Sequence, residues 1–529
     1  MPPNDLVVYE CKTRSENNIF IDVELKQEEN FLDFHESDFE TAINYAGNGK
    51  FQIVLLAVSG CIYATCAISS TTLSFVLPSA ECDFSLSSRD KGTLSAIPLL
   101  GMLFGCFLWG SLANTYGRRM AILISLMIDF LAAVASSSVN SYVLFVICRF
   151  FNGFGIIGAT SLIFSYLGEF LSVQHRDKYL GKLEIFWNIG VIILPGVAWC
   201  FLNKKSVQIF EDGGNFSPWR TFVLVCSVPS LISIFLLYFF PETPKFLISK
   251  GKFKEARAVF QQIYRFNRND DHLEFPVNDL ENSNNSSTKI LSKQLDLSQL
   301  SGIVKGLIQQ QYCKYLTITC LADFGLMASY YTLVMWFPEI FERFNEFNAK
   351  FPETPASICV VSQANSSWHS VEEKCDPAME NDVFLDTMII GLSCIPTSVS
   401  LSYFMYKCGK KFILVSSLLL SGLCTLGLNW VSSVGQTLVL SCTFEALTSI
   451  LEAVLFCVVV DLFPTNIRAL ALATTATCGR LGAIFGNLVF GALLDLNCLI
   501  PIYLLGLLLV ACGLLCLAIP RNEEYITIL

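Results

Sequence analysis

The chain has 529 residues, of which 53% are hydrophobic and only 15% are charged, and its mean hydropathy is +0.53. Soluble proteins carry about 25% charged residues, so this composition needs lipid to cover it and indicates an integral membrane protein. The formal net charge of −10 argues against a nucleic-acid partner.

Residues 1–50 form a polar tail with eleven Asp or Glu against four Lys or Arg. The tail contains no apolar segment of the kind that a cleavable signal peptide has, so we expect the first membrane helix to direct insertion. Most of the tail is predicted to be disordered, and residues 39–45 are predicted to form a short amphipathic piece at its end.

Twelve apolar runs follow, each close to the ~20 residues that a bilayer requires. They are predicted at 51–77, 92–112, 119–139, 142–168, 180–202, 220–240, 314–338, 386–406, 411–431, 436–460, 468–495 and 498–519. The sequence therefore predicts an all-α membrane protein with twelve transmembrane helices in two six-helix bundles. The predicted segments are an N-terminal bundle at 51–240, a cytosolic linker loop at 241–313, a C-terminal bundle at 314–519 and a cytosolic tail at 520–529.

The distribution of Lys and Arg predicts the orientation. On one side of the membrane the short segments and adjoining span ends hold 14 of these residues, against 5 in the short segments on the other side. The positive-inside rule therefore places both termini in the cytosol.

Gly110–Arg119, reading Gly-Ser-Leu-Ala-Asn-Thr-Tyr-Gly-Arg-Arg, links the second and third spans. Gly110 and Gly117 allow close helix approach and a sharp reversal. The segment resembles the loop between helices two and three of the major facilitator superfamily, with Asn114 where that family has Asp. A plain basic loop between two helices is the alternative interpretation.

The two halves repeat at a constant offset of 292 residues, which indicates an internal duplication. The repeated residues are Gly117, Arg118, Arg119, Glu169, Arg176 and Gly190 in the first half and Gly409, Lys410, Lys411, Asp461, Arg468 and Gly482 in the second. The loops at 110–119 and 406–411, with Glu169, Arg176, Asp461 and Arg468, are predicted to form a cytosolic gate.

The two long loops carry local signals. In the linker, Pro244 begins one predicted helix that Gly251 ends, and Lys252–Arg265 forms another. The outer loop 339–385 holds Cys359 and Cys375, predicted to form a disulfide, with free thiols as the alternative. The same loop contains Asn365, a glycosylation acceptor.

Arg149, Gly153, Gly155 and Gly158 lie on the fourth span. The glycines match a dinucleotide fingerprint, but no strand precedes them, so nucleotide binding is rejected. The pattern resembles the fourth-helix motif of the same superfamily, in which the glycines form a packing face and the Arg points to the polar interior.

Further strings resemble the synaptic vesicle glycoprotein 2 family. They are Phe75-Val-Leu-Pro-Ser-Ala80, Phe164-Ser-Tyr-Leu-Gly-Glu-Phe170, Pro218-Trp-Arg220, Pro241-Glu-Thr-Pro244 and Tyr330-Tyr331 with Trp336-Phe337-Pro338. The resemblance implies a transporter fold, but the acids of the family's first helix fall at Cys66 and Ser69. Its helix-ten Trp and Asp fall at Glu452 and Phe456.

Ionisable residues within the spans are candidates for function because the membrane makes them costly. Asp129 and Arg149 are read as a buried structural pair, and Asp323 either snorkels to a helix end or lines the cavity. Glu445 and Glu452 are seven residues apart on span ten, which places them on one helix face, either in a static polar network with Arg480 or at a coupling site.

The resemblance places Trp187, Tyr330 and Tyr331 at aromatic positions that line the family's central cavity, where packing is the alternative role. With Glu445, Glu452 and Arg480 they form the predicted solute site. Burial disfavours the charged form of a carboxylate, so Glu452 is a candidate to carry a proton or to bind a cation.

The sequence thus predicts a secondary transporter of a small polar or organic solute that works by alternating access, with proton coupling as an option. The alternative is an adaptor or receptor on a transporter fold, in a plasma or vesicle membrane. No nucleophile, metal cluster or cofactor motif supports an enzyme. Tyr525–Leu529 fits a sorting or scaffold signal for a cytosolic partner.

Overall fold

The computed structural model describes residues 36–204, 217–270, 272–276, 310–351, 359–361, 378–431 and 433–520. Within these ranges it contains twelve helices long and apolar enough to cross a membrane, which confirms the predicted fold class. In chain order they are α1 (Lys50–Ser79), α2 (Ser88–Tyr116), α3 (Arg118–Ser138), α4 (Tyr142–Gly168), α5 (Val173–Leu202), α6 (Pro218–Tyr238), α7 (Gln310–Lys350), α8 (Asn381–Cys408), α9 (Lys410–Gly427), α10 (Val434–Leu462), α11 (Thr465–Asn497) and α12 (Leu499–Cys516).

Helices α1 to α6 form one half and α7 to α12 the other, with matching internal packing. In the first half α1 packs on α5 and α3 packs on α6; in the second half α7 packs on α11 and α9 packs on α12. The halves meet where α2 packs on α11, α5 packs on α8 and α1 packs on α7. Large apolar side chains such as Phe107 and Phe235 stay exposed on the outside of the bundles, where lipid covers them.

The link between α2 and α3 is a single residue. Helix α2 runs to Tyr116 and α3 begins at Arg118, so Gly117 alone makes the reversal, with φ of 104°. Gly409 does the same between α8 and α9 with φ of 85°. Glycine adopts this region readily because it has no Cβ. The expectation for Gly110 is wrong, because it lies inside α2 and a Cβ there would have open space.

We call the end of the bundle that carries Gly117 and Gly409 the inner face, and the opposite end the outer face. The predicted helices of the linker are present at the inner face as Pro244–Ser249 and Phe253–Arg268. The tail forms the helix Glu36–Ala46, whose Phe39 packs against Phe260 at a centroid distance of 6.0 Å. The end of the tail therefore packs against the linker as a helix.

Two helices differ from their predicted course. Helix α7 continues twelve residues beyond the predicted end at 338, to Lys350, so the outer loop is shorter than expected. Helix α10 consists of two segments, Val434–Thr448 and Leu451–Leu462, instead of one continuous helix.

The predicted disulfide is corrected by the structure. Cys359 bonds to Cys498, at the junction of α11 and α12, and not to Cys375. Sequence spacing could not reveal this pairing, because the two cysteines are 139 residues apart and meet only through the packing of the second half. Cys375, Asn365 and Tyr525–Leu529 lie outside the described residues.

The glycines of α4 pack against the backbone of neighbouring helices. A Cβ on Gly153 would lie 2.0 Å from the carbonyl oxygen of Pro98 in α2, and one on Gly155 would lie 2.7 Å from the backbone of Asp129 in α3. A Cβ on Gly158 would meet the Trp109 ring at 2.6 Å. The close crossings of α4 with α2 and α3 therefore require these glycines.

We expect Gly153→Ala to destabilise the protein by roughly 1–3 kcal/mol, because the added methyl group forces α4 away from α2. The measurement is the melting temperature of the detergent-purified chain, followed by tryptophan fluorescence. Gly196→Ala is the matched control, since Gly196 is also helical and nothing lies within 4 Å of its Cβ position. Equal melting temperatures for the two variants would contradict the packing argument.

Candidate functional site

The candidate site lies between the halves, where α1 and α5 face α7, α10 and α11. Helix α10 is interrupted here, between Thr448 and Leu451, with Glu445 on one segment and Glu452 on the other. Discontinuous helices are typical of binding sites near the membrane midplane.

Six residues from both halves form what we call the acidic cluster: Tyr63, Glu184, Asp323, Tyr331, Glu452 and Arg480. The Arg480 guanidinium donates to the Tyr331 hydroxyl over 2.7 Å and lies 5.4 Å from the centre of that ring. The Tyr63 hydroxyl donates to Glu184 Oε2 over 3.3 Å, from the other half. Glu452 is half-buried and interacts electrostatically with Glu184, Asp323 and Arg480.

Asp323 is fully buried, and neither of its carboxylate oxygens has a hydrogen-bond partner. A Cβ on Gly479 of α11 would lie 2.4 Å from Asp323 Oδ2, so the carboxylate packs directly on that glycine. Asp323 therefore lies in the interior of the bundle and does not snorkel to a helix end. An unpaired buried carboxylate is costly unless a proton or another cation accompanies it.

The charge balance of the cluster differs from the prediction. Glu184, Asp323 and Glu452 face one guanidinium, Arg480, which leaves two negative charges if all are ionised. Glu184 was not among the predicted site residues, although it lies inside a predicted span, where any ionisable residue is a candidate. That rule, applied to every span, would have found it.

Aromatic rings pack around the acidic cluster. The Tyr63 ring packs against Trp187 at 5.2 Å and edge-on against Phe164 at 5.1 Å. The Tyr330 and Tyr331 rings are perpendicular at 5.3 Å. Trp187, Tyr330 and Tyr331 thus lie near one another at the interface between the halves, and their role in lining a solute cavity stays a prediction.

Glu445 is separated from the cluster. It lies beside Tyr330, and its electrostatic neighbours include neither Glu452 nor Arg480. It lines a different pocket, between Tyr330 and the outer face. The prediction that both glutamates and Arg480 form one group is wrong, because the two carboxylates lie about 10 Å apart along the axis of α10 and have different neighbours.

Asp129 and Arg149 are buried in the first half but do not form the predicted direct ion pair. Asp129 accepts hydrogen bonds from Ser69 over 2.7 Å and from Asn152 and Ser230 over 2.6 Å each. The Arg149 guanidinium lies 5.0 Å from the centre of the Phe145 ring, and its Nε and Nη2 have no partner. Neutral donors on three helices therefore take the place of the guanidinium.

At the inner face the predicted gate residues form equivalent pairs in both halves. Arg118 donates to Glu169 over 3.1 Å, and Lys410 donates to Asp461 over 2.7 Å. Each pair spans 51 residues and stays within its own half. In this structure these pairs stabilise each bundle and do not join the two.

The neighbouring basic residues bind free carbonyl groups at helix ends. Arg119 donates to Tyr238 O at the end of α6, and Lys411 donates to Leu517 O just after α12. Arg176 donates to Leu171 O and Arg468 donates to Phe463 O, each five residues back along the chain. Cations near helix C-termini are stabilising because of the helix dipole.

Asn114 is exposed and makes no side-chain hydrogen bond, although its neighbour Arg118 donates to Ala113 O. Asn114 therefore bonds neither to Arg118 nor to a helix N-terminus. The Arg118 guanidinium is already bonded to Glu169.

The outer face carries a buried ionic network that the sequence analysis missed. We call it the outer lock: Glu81, Ser88, Lys91, Glu339, Arg343 and Asp495. Lys91 donates to Glu81 and to Glu339 over 2.7 Å each, and Arg343 donates to Glu339 over 2.8 Å. Arg343 also donates to Ser88 over 3.0 Å, and Ser88 in turn donates to Asp495 over 2.8 Å.

The outer lock joins the halves, because Lys91 and Ser88 belong to α2 whereas its partners Glu339 and Asp495 belong to α7 and α11. Lys91 and Glu339 are 1% and 3% exposed, so their attraction is little screened by water. Within the described residues, the hydrogen bonds and ion pairs between the halves lie at the outer face, apart from Asn188 to Ser398 deeper in the bundle. The structure is therefore closed at the outer face.

Comparison with known proteins places the chain among transporters. A family model described as "Sugar (and other) transporter" matches residues 49–346, and a Major Facilitator Superfamily model matches residues 385–527. Human synaptic vesicle glycoprotein 2B is 27% identical over 92% of this chain and 86% of its own length. Rat synaptic vesicle glycoprotein 2A is 35% identical over 57% of this chain and 43% of its own length.

Solved structures share the fold at low identity. The inward-open xylose transporter XylE from E. coli matches with a TM-score of 0.64 and 17% identity, over 90% of this chain and 99% of that one. The nucleoside transporter NupG matches with a TM-score of 0.56 and 12% identity, over 90% and 99% of the two chains.

We expect Lys91→Met to open the outer face, because breaking a buried ion pair costs roughly 3–5 kcal/mol and leaves Glu339 without one of its cations. The measurement is labelling of an introduced Thr387→Cys by a membrane-impermeant maleimide that is added at the outer face. The labelling of the parent chain, which has its own cysteines, is subtracted. Labelling should rise about tenfold or more.

Lys204→Met is the matched control for that experiment. Lys204 also pairs across the halves at the outer face, with Glu380, but both side chains are substantially exposed. Exposed pairs contribute at most about 1 kcal/mol, so this variant should label nearly as the parent does. Parental labelling in Lys91→Met as well would show that the lock does not hold the outer face closed.

Proposed function

The chain belongs to the sugar (and other) transporter family, and we propose that it carries a small organic cation across the membrane by alternating access. It is a multi-pass membrane transporter and not an enzyme. Its solute, its coupling to protons and its orientation, with both termini in the cytosol, belong to the proposal.

The observation that supports a cationic solute is the excess of buried carboxylate in the acidic cluster. Three carboxylates face one guanidinium between the halves, and Asp323 has no hydrogen-bond partner at all. A neutral sugar brings no charge to balance this excess. A cation, or protons that leave when it binds, would balance it.

The aromatic rings support a solute with an ammonium group. Tyr63, Trp187 and Tyr331 present ring surfaces next to the carboxylates, and Arg480 already occupies the Tyr331 face. Cations bind to aromatic faces with about 0.5–2 kcal/mol, more when water is excluded. An organic cation with an apolar body therefore matches both the charge and the walls of the site.

Alternating access follows from the asymmetry of the two faces. The outer lock holds the halves together at the outer face, whereas the ion pairs of the inner face remain inside each half. For the opposite state, Lys91 has to separate from Glu339 and the inner ends of the halves have to meet. Because residues of both halves form the acidic cluster, a bound solute is passed from one face to the other as the halves rock.

The second candidate function is an adaptor or receptor with little transport, in a synaptic-type vesicle or plasma membrane. Relatives named synaptic vesicle glycoproteins favour the vesicle membrane. Ser69, where the family has an acid, supports the adaptor because it is buried and bonded to Asp129 instead of lining the cluster.

Uptake into proteoliposomes distinguishes the two functions. Purified chain is reconstituted and offered a mixture of small solutes, with and without a pH gradient, and the accumulated compounds are identified by mass spectrometry. Accumulation of organic cations above empty liposomes supports transport. Accumulation of neutral sugars alone would refute the cation proposal, and no accumulation under any gradient would favour the adaptor.

We expect Glu452→Gln to abolish the pH dependence of uptake, because an amide cannot release a proton in exchange for the cationic solute. We expect Glu445→Gln to weaken uptake less. Initial rates are measured in proteoliposomes at several pH gradients. Glu255→Gln, an exposed glutamate in the linker, is the control for the same chemical change. A lower melting temperature for Glu452→Gln with pH dependence intact would instead show a static network.

A further inference from the structure

We propose that the protein has a second ligand site, distinct from the acidic cluster, which binds a compact hydrophobic ammonium ion between the halves beneath the outer lock. The site is the pocket next to Glu445, which we call the outer pocket. It extends beyond the proposed function, because it needs neither transport nor the acidic cluster.

The outer pocket is built by both halves and is mostly apolar. Its cavity volume is about 40 Å³, which fits only a small ligand. Its walls are Thr71, Ser74 and Phe75 of α1, Val191, Leu194 and Pro195 of α5, Val334, Phe337 and Pro338 of α7, and Thr387 and Ile390 of α8. Such walls favour an apolar body and offer a few hydroxyl groups at the side.

Glu445 is the one charged residue among the residues that line this pocket. It is 2% exposed, and its Oε2 has no hydrogen-bond partner. Native proteins rarely leave a buried carboxylate oxygen unpartnered, so this atom marks the place of a missing donor. An ammonium group supplies both the N–H donor and the positive charge.

The electrostatic surroundings separate this site from the acidic cluster. Glu452 lies near Arg480, whereas Glu445 forms no ion pair with a Lys or Arg of the described residues. An ionised Glu445 therefore has no partner cation among them. A positively charged ligand therefore gains an electrostatic attraction to Glu445 that a neutral ligand of the same shape lacks.

The position of the pocket gives the ligand a consequence for conformation. Pro338 lines the pocket, and the next residue, Glu339, pairs with Lys91 in the outer lock. Because Phe75 and Leu194 belong to one half and Phe337 and Ile390 to the other, an occupant contacts both halves at once. It binds the outer-closed state and thereby stabilises it.

The test compares two small probes of the same size, methylammonium and methanol, on the detergent-purified full chain. Affinity is measured by titration of the melting temperature and by calorimetry. We expect the amine to bind at least about tenfold more tightly than the alcohol. We expect Glu445→Gln, added to Glu452→Gln, to remove this preference for the amine, and Ile390→Trp to weaken both probes by filling the pocket.

Glu452→Gln is the matched control, since it makes the same change on the other segment of α10. Amine binding that survives Glu452→Gln and is lost when Glu445→Gln is added supports the outer pocket. Amine binding already lost in Glu452→Gln alone assigns the amine to the acidic cluster, which overturns this proposal and leaves the proposed transport intact. Equal affinities for amine and alcohol, or no binding of either, overturn it as well.

Discussion

The absence of water from the bilayer interior is the constraint on which this structure depends. Backbone groups there must bond within the protein, which is why the membrane-crossing elements are helices. The same constraint applies to charge, and the chain meets it in two ways. At the inner face, Arg118 and Lys410 pair with acids or bind helix ends, whereas at the centre Asp323 and Glu452 remain without full compensation. The paired residues of the inner face stabilise the fold, and the carboxylates at the centre are the candidates for binding a solute.

Much of the fold could be predicted because its signals are local or repeated. The apolar runs predict the helices, and the offset of 292 residues identifies pairs that occupy equivalent places, such as Arg118 with Glu169 and Lys410 with Asp461. The same holds for the turn at Gly117, where a positive φ demands glycine. These features need no knowledge of how the halves meet.

The site was harder to predict because it depends on contacts across the interface. Lys91 and Glu339 are 248 residues apart and have no counterparts in the repeat, so nothing in the sequence joins them. Glu445 and Glu452 have different neighbours, although helical spacing had placed them on one face. Sequence reasoning found the ionisable residues, with the omission of Glu184, but could not assign each to its neighbours.

Helix α7 also has a mechanical role. Its 41 residues make a rod of about 60 Å, with Asp323 and Tyr331 near the middle and Arg343 towards one end. A tilt of about 10° around the middle of this helix moves each end by about 5 Å, whereas the middle stays in place. In an alternating-access cycle, a helix of this length would convert a small tilt around Tyr331 into a larger displacement at Arg343. Cys359, bonded to Cys498, ties the chain beyond this arm to the junction of α11 and α12, so the force is transmitted to the whole half.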